Sequence, residues 1–220
     1  MLTNLKINVQ KTKITPTLIA KVAMMGVLSY VVMLLEFALP FFPSFLKLDL
    51  SDIFPLIGSF ALGPVAGMLI EFVKCALHWA TVSTTGGVGD LANFIVGSAF
   101  VMSAGAYYGR RHTKIGAIIS LCIGTAAMII AGALMNYYVM VPFYGAVFFK
   151  DAGGVDAVVA MGSAVIPAIH DKFTLILYSF CPFNLLKGVV ISIIALPLYK
   201  RVSPLIKAEL RKNKTITEQK

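Results

Sequence analysis

Residues 42–67 read FPSFLKLDLSDIFPLIGSFALGPVAG. Within this stretch an apolar run, residues 51–62, ends at Gly63-Pro64, a pair that is typical of a tight turn. Three charged residues stand at the other end of the run: Lys47, Asp49 and Asp52. Charge next to hydrocarbon is costly, and proteins usually keep it for pairing or for binding a ligand. The stretch therefore predicts an apolar helix that starts near a polar site and either turns back or kinks at Gly63-Pro64.

The composition places the chain in a lipid bilayer. Apolar residues make up 58% and charged residues 13% of the 220 residues, and the mean hydropathy is +0.85. A soluble domain usually carries about a quarter charged residues. Residues 22–35 and 115–149 carry no charge at all. We therefore predict an all-α integral membrane protein.

The net charge of +9 does not indicate nucleic-acid binding, because the basic residues flank apolar runs. They cluster in residues 6–21, 110–114 and 200–220. This is the distribution that the positive-inside bias produces. Three cysteines (Cys75, Cys122, Cys181) and three histidines (His78, His112, His170) are scattered, so we predict no metal site, catalytic group or cofactor.

Five stretches are strong candidate spans, each near the ~20 residues that a membrane helix needs: 17–39, 64–81, 90–109, 115–141 and 184–200. Residues 51–62 and 156–181 are ambiguous. In one topology Gly63-Pro64 separates a short span from the next one, and 156–181 stays outside as short helices. In the other, 51–80 is a single kinked helix and 156–181 is a span.

Both topologies give six crossings with the termini on one side, and charge distinguishes them. The first places the basic residues 110–114 in the cytoplasm with the termini, whereas the second exports them against the positive-inside bias. We therefore predict six transmembrane helices in a single membrane domain, with a long first extracellular loop and a long, partly helical loop before the last helix. Residues 17–201 form the core, and the basic tails 1–16 and 202–220 are cytoplasmic. Residues 51–62 cover only about 18 Å, so this helix must recruit residues 46–50 or be shielded from lipid by the bundle.

In this topology four segments bring polar groups to the extracellular end of the bundle. They are Lys47, Asp49 and Asp52; the glycine-rich turn Thr84–Gly89; Asn136, Tyr137 and Tyr138 at the end of the fifth span; and Asn184 with Lys187 in the first turn of the last span. Amides and an ammonium suit carbonyls and hydroxyls, and Phe41, Phe42, Phe45 and Trp79 suit a planar ring. A neutral heterocycle with a polar tail would use both.

Each of these residues also has an ordinary structural explanation. Lys187 can extend to the interface, Asn184 can cap a helix after Pro182, and the tyrosines and Trp79 can form an interfacial aromatic belt. The first-loop charges can be solvated and pair with one another. Convergence of four segments is the stronger signal.

Four motifs in order carry a family resemblance: residues 42–67, TTGGVGDLANF (84–94), MNYY (135–138) and PFNLLKGVVIS (182–192). Over residues 17–201 the chain resembles the riboflavin-specific S-components of energy-coupling factor (ECF) transporters. The resemblance implies a subunit of a bacterial cell membrane that captures riboflavin at the extracellular face, and partners consisting of a transmembrane coupling subunit and two ATPases. It implies binding by Asn136, Tyr137, Asn184 and Lys187, with Lys47, Leu48, Asp49 and Thr84, Thr85, Gly86 and Gly87 closing over the ligand.

S-components commonly carry an Ala-xxx-Ala pair on the first helix for docking the coupling subunit. This chain departs from that pattern, because Ala20, Ala23 and Gly26 are spaced by three. We take these three residues as the predicted docking set.

Two functions of other classes compete with this interpretation. An ion-driven stand-alone transporter would use Glu36 and Glu71, but two matching halves with broken helices are not apparent in the sequence. An intramembrane enzyme would need a nucleophile–base pair, and none stands out. The sequence contains no P-loop, so ATP-driven transport would need a partner.

Overall fold

The computed structural model describes residues 15–218, and side chains for residues 15–201. Most of the predicted N-terminal tail, residues 1–14, lies outside the described residues, as do residues 219–220. The described chain is mostly helical. Four of its helices are long and apolar enough to cross a membrane: Pro16–Met33, Val88–Tyr108, Lys114–Val147 and Lys172–Arg201.

The elements follow one another as a helical bundle with a small hairpin after the first helix. They are α1 (Pro16–Met33), β1 (Phe37–Ala38), β2 (Lys47–Leu48), α2 (Ile53–Leu62), α3 (Pro64–Thr81), α4 (Val88–Tyr108), α5 (Lys114–Met135), α6 (Val141–Val147), α7 (Val155–Ser163), α8 (Lys172–Leu175) and α9 (Cys181–Glu218). The two strands are antiparallel, with Phe37 opposite Leu48. Helix α1 begins at a sequence-encoded start, because Thr15 caps it through its hydroxyl and proline occupies the first position.

Helices α2 and α3 form an antiparallel hairpin at Gly63. This glycine has φ 106°, a backbone conformation that other residues rarely adopt, and Pro64 starts α3. Close approach of the two helices depends on Gly67, where a Cβ would lie 2.6 Å from the Ser59 side chain. The chain therefore turns at Gly63-Pro64 as the first topology requires, and residues 51–80 are not a single kinked helix.

Helix α2 is shielded from lipid by the rest of the bundle. Nearly all its residues are buried, and Leu56 and Ile57 are at most 2% exposed. They pack with residues of α1, α3, α4 and α9 in one core cluster. Of the two alternatives for this short segment, the structure thus shows shielding by the bundle.

The expected end of the 115–141 span and start of the 184–200 span are wrong. Helix α5 continues into α6 through a π-helical turn, Asn136–Met140, and α8 continues into α9 through a second one, Ile176–Phe180. Each π turn comes two residues before a proline, Pro142 or Pro182. Proline cannot donate the helical hydrogen bond, and the wider turn lets the helix continue past it.

Because of the second π turn, residues 156–181 differ from the prediction. Helix α7 is a short helix as predicted, but the last long helix already begins at Lys172. Its start is fixed by a capping box in which Asp171 accepts from the backbone N–H of Thr174 and the Thr174 hydroxyl accepts from the N–H of Asp171. The hydrogen bonds that the Asp171 carboxylate accepts from the Thr174 backbone N–H and hydroxyl hold its pKa below the usual range.

One end of the bundle carries an aromatic cluster. Phe60 stacks on Tyr108 with ring centroids 4.5 Å apart, and Tyr199 meets both rings edge-on. The start of α1 belongs to the same core, and Tyr108 contacts His112 in the loop 109–113. The α4–α5 loop with its basic residues therefore lies at the same end as the start of α1 and the second half of α9.

Candidate functional site

A cavity of about 530 Å³ lies at the opposite end of the bundle. Its polar lining comes from the connection before α2, the α3–α4 turn, helices α3, α4 and α9, and the π turn after α5. These polar residues are Glu36, Lys47, Asp49, His78, Ser83, Thr84, Thr85, Asp90, Asn93, Asn136, Asn184 and Lys187, with Tyr144 from α6. All four segments that sequence analysis predicted to converge thus reach one space.

Lys187 of α9 is held by two carboxylates from the connection between α1 and α2. Its Nζ lies 2.9 Å from Asp49 Oδ2 and 3.1 Å from Asp52 Oδ2, and the three side chains are at most 8% exposed. Burial alone would raise the pKa of Asp49, but the Lys187 ammonium outweighs it and holds that pKa below its usual range. Ser51 donates to Asp49 through its hydroxyl and its backbone N–H.

A second lysine, Lys74, adds to these ion pairs on the side away from the cavity. Lys74 of α3 is fully buried, with Nζ 2.5 Å from Asp52 Oδ1 and 2.5 Å from Glu71 Oε2. The Glu71 carboxylate fits beside α4 because residue 97 is glycine, where a Cβ would lie 2.8 Å from the Glu71 carboxyl carbon. We call Asp49, Asp52, Glu71, Lys74 and Lys187 the buried charge cluster. The cluster connects three parts of the chain: the loop before α2, helix α3 and helix α9. Asp49 and Lys187 line the cavity, and Asp52, Glu71 and Lys74 lie behind them.

These contacts exclude the solvated-loop explanation for Asp49 and Asp52, which are 4% and 0% exposed. Lys47 differs, because it pairs with Glu36 at 2.5 Å and its side chain is 50% exposed. Both carboxylates of the ion-driven alternative, Glu36 and Glu71, are therefore engaged by lysines.

The two predicted asparagines lie on facing helices and bond back to their own backbones. Asn136 Nδ2 donates to the carbonyl of Gly132 at 2.8 Å, and Asn184 Nδ2 donates to that of Phe180 at 3.0 Å. The Asn184 amide also fills the space beside Gly132, where a Cβ would lie 2.5 Å from Nδ2. Asn184 is not a helix cap, nor does it lie in a first turn, because α8 and the π turn precede it. Both asparagines sit in or beside a π turn, a feature often found at functional sites.

The opposite wall is formed by α3, α4 and the turn between them. His78 Nδ1 lies 2.5 Å from Asp90 Oδ1, joining α3 to α4. Thr85 accepts from the N–H of Gly89, and Ser83 accepts from that of Gly87, which fixes the turn. Gly86 and Gly87 have φ 62° and 89°, which explains why the turn needs glycines there.

Aromatic rings cover the side of the cavity next to the first loop and α9. Phe45 stacks on Phe180 with ring centroids 5.7 Å apart, and Phe183 lies beside them in the lining. Phe41 and Trp79, expected to offer flat surface to a ligand, are 79% and 62% exposed and are not among the lining residues.

The predicted binding residues divide into two groups by position. Lys47, Asp49, Thr84, Thr85, Asn136, Asn184 and Lys187 line the cavity, whereas Leu48, Gly86, Gly87 and Tyr137 do not. Leu48 is buried in the β1–β2 pair, Gly87 packs on Trp79, and the Lys172 ammonium lies 4.0 Å from the Tyr137 ring centroid.

Several polar groups of the site were missed by sequence analysis. Lys74 was overlooked although it stands one helical turn after Glu71, a spacing that predicts a pair on one face. His78, Asp90 and Asn93 were missed as well. Asp90 and Asn93 lie in the TTGGVGDLANF motif, and the i, i+3 spacing of an acid and an amide was the available signal. Among the described residues, no group of His, Cys, Asp and Glu is placed to hold a metal ion.

Only part of the predicted docking set faces outward. Ala20 and Ala23 are exposed, but Gly26 is buried against Val73 of α3, where a Cβ would lie 2.5 Å from the valine side chain. A three-residue step turns an α-helix through roughly 300°, so a stripe of spacing three drifts around the helix. Gly26 therefore serves helix packing.

Comparison with known proteins identifies the family. The model of the family described as "ECF transporter, substrate-specific component" matches residues 17–199. The chain belongs to this family. Substrate-specific components are transport subunits, so this chain is not an enzyme.

Relatives match this substrate-specific component over almost its whole length. A protein of Staphylococcus aureus (strain TCH60) named riboflavin transporter RibU is 34% identical over 202 residues, which cover 92% of this chain and 96% of the relative. A protein of Bacillus subtilis (strain 168) named riboflavin transporter FmnP is 30% identical over 192 residues, 86% of this chain and 93% of the relative.

The fold is that of a solved substrate-specific component. The structure of the S component of a bacterial ECF transporter matches with a TM-score of 0.66 at 30% identity, covering 86% of this chain and 97% of that one. The chain is accordingly a membrane protein with an S-component fold.

Proposed function

We propose that this chain is the high-affinity riboflavin-binding subunit of an ECF-type importer. The observation that carries the proposal is the convergence of four distant segments on one cavity in a chain of this family. The two relatives named riboflavin transporters support riboflavin as the ligand, since each aligns with at least 86% of the chain.

The cavity suits a planar heterocycle that carries a polar tail. Its volume of about 530 Å³ falls within the roughly 300–1,000 Å³ of small-molecule sites. Phe45, Phe180 and Phe183 offer apolar surface to an aromatic ring system. Asn136, Asn184 and Lys187 would hold the polar edges of the flavin or its ribityl chain, with Lys47, Asp49 and the Thr84-Thr85 turn above it.

We further propose six membrane crossings, in which α2 and α3 join the four longer helices, with both termini in the cytoplasm. The basic α4–α5 loop, residues 110–114, lies at the same end as the start of α1 and the second half of α9, which agrees with the positive-inside bias. In this orientation the cavity opens toward the extracellular side of the bacterial cell membrane.

Transport would need the ATP-driven coupling module of the family, a transmembrane coupling subunit and two ATPases. The chain lacks a P-loop sequence, so the energy must come from outside it. The outward face of α1 with Ala20 and Ala23 is the proposed contact with the coupling subunit, because small residues allow close helix approach.

Riboflavin fluorescence provides the test. Purified protein should quench added riboflavin with a Kd in the nanomolar to micromolar range. Asn184→Ala should weaken binding by about 1–3 kcal/mol, because a polar partner is left without its bond. Leu185→Ala is the matched control, since Leu185 is 49% exposed and points away from the bundle on the same helix. If Asn184→Ala and Leu185→Ala bind riboflavin with equal affinity, Asn184 is not part of the binding site. If the unmodified protein does not quench riboflavin fluorescence, the proposed ligand is refuted.

A further inference from the structure

Asp90 is an acidic side chain in the cavity wall whose bonding is incomplete. It lies in the first turn of α4, lines the cavity and is 5% exposed. Its Oδ1 is held 2.5 Å from Nδ1 of His78. Its Oδ2 is buried as well, and no group among the residues with described side chains hydrogen-bonds to it.

An unpaired buried carboxylate oxygen is expensive, because it has lost its water without gaining a protein donor. This unpaired oxygen lies in the wall of the cavity and not in the packed core. The amide nitrogens of Asn136 and Asn184 donate to backbone carbonyls, and the Lys187 ammonium is held by Asp49 and Asp52. Asp90 Oδ2 is thus a buried acceptor in the cavity wall that still needs a donor.

The surroundings of Asp90 indicate which kind of donor fits. Phe45, Phe180 and Phe183 lie on the first-loop and α9 side of the cavity, and Tyr144, Phe148 and Phe149 add rings from α6 and the residues after it. The hydroxyl and amide side chains of Ser83, Thr84, Thr85 and Asn93 stand with Asp90 on the α3–α4 side, which therefore suits a hydroxylated chain. An ionised carboxylate only accepts hydrogen bonds, and hydroxyl groups donate them.

We propose that Asp90, oriented by His78, is a ligand-binding residue that accepts a hydrogen bond from a hydroxyl group of the bound solute's polar tail. This inference rests on the proposed function, since it takes riboflavin as the hydroxylated ligand. Asp90 binds the ligand directly, and His78 acts as a positioning residue that fixes the carboxylate through Oδ1.

The test compares two flavins that share the ring system. Riboflavin carries the ribityl chain, and lumiflavin carries a methyl group in its place. Asp90→Ala should weaken riboflavin binding by about tenfold or more, as expected for one charge-assisted hydrogen bond. It should change lumiflavin binding less than twofold. Asp90→Asn keeps an acceptor without the charge, so its affinity for riboflavin should lie between those of the unmodified protein and Asp90→Ala. Leu91→Ala, at an exposed neighbouring position, is the matched control.

Thermal unfolding of the ligand-free protein separates binding from a structural role. Removing an unpaired buried charge should leave the unfolding temperature of Asp90→Asn unchanged or raised, whereas a structural carboxylate would lower it. His78→Gln should weaken riboflavin binding less than Asp90→Ala and leave lumiflavin binding unchanged.

Two outcomes would overturn the inference while leaving the proposed function intact. One is an equal loss of affinity for riboflavin and for lumiflavin in Asp90→Ala, or in Asp90→Asn if the alanine variant does not fold. The other is unaltered riboflavin binding in both variants. Failure of the unmodified protein to bind riboflavin would instead refute the proposed function, and the inference with it.

Discussion

Replacing Lys74 by methionine removes the central cation of the buried charge cluster while keeping most of the side-chain volume. In the native protein Lys74 Nζ lies 2.5 Å from both Asp52 and Glu71, and all three side chains are fully buried. Without it, Asp52 keeps only Lys187, at 3.1 Å, and the described residues offer Glu71 no other cation. Lys74→Met therefore strands buried carboxyl groups.

The size of the effect follows from this geometry. Breaking a buried ion pair by removing one partner costs about 3–5 kcal/mol, because the remaining charge cannot regain its hydration. For a chain of this length each kcal/mol lowers the unfolding temperature by roughly 2–4 °C. We expect the unfolding temperature of ligand-free Lys74→Met to fall by about 6–20 °C.

A double variant distinguishes charge from packing. The cluster holds three carboxyl groups and two ammonium groups, and Lys74→Met raises the excess of acid from one to two. Adding Glu71→Gln returns the excess to one, so the double variant should regain part of the lost stability. Thermal unfolding in detergent, followed by loss of the monodisperse peak, measures four proteins: the unmodified protein, Lys74→Met, Glu71→Gln and the double variant. Strict additivity of the two substitutions, or an unfolding temperature unchanged in Lys74→Met, would refute the charge argument.

Two further predictions concern neighbouring parts of the site. Gly97→Ala should lower the free energy of unfolding by about 1–3 kcal/mol, and with it the unfolding temperature, because the new Cβ meets the fully buried Glu71 carboxylate. An unchanged unfolding temperature would show that the carboxylate can move. Asp49 should make stability depend on pH: its folded pKa lies below the usual 3.8, so its contribution is complete above about pH 4 and is lost as the pH falls through the folded pKa. Asp49→Asn should flatten that part of the stability–pH curve, and a curve identical to that of the unmodified protein would contradict the assignment.

The sequence alone predicted the parts of the fold that depend on composition and local turns. Long uncharged runs, Gly63-Pro64 and the basic flanks reflect lipid exposure and backbone geometry, which act locally. Helix continuation at Pro142 and Pro182 was not predictable in this way. Proline normally ends a helix, and only packing in the folded bundle shows that π turns carry both helices past it.

The candidate site was likewise only partly predictable from the sequence. Polar residues in apolar sequence correctly indicated a shared cavity, because placing a polar group near hydrocarbon costs free energy and such residues are therefore rare. Their long-range partners were not predictable: Lys187 and Asp49 are 138 positions apart, and Lys74 pairs with Asp52 across 22 positions. Pairing between such distant positions depends on how the helices pack, and no local pattern encodes it.

The cavity lies past one end of the short helix α2. A helix of ten residues is about 15 Å long, roughly half of a bilayer's ~30 Å hydrocarbon thickness. Its far end lies with the aromatic cluster, and Asp52 at its near end belongs to the cluster behind the cavity wall. The cavity lies beyond this near end, where Asp49, three residues before Asp52, is part of its lining. In the proposed topology, a solute in the cavity would be held within the bundle, beyond the outer end of α2.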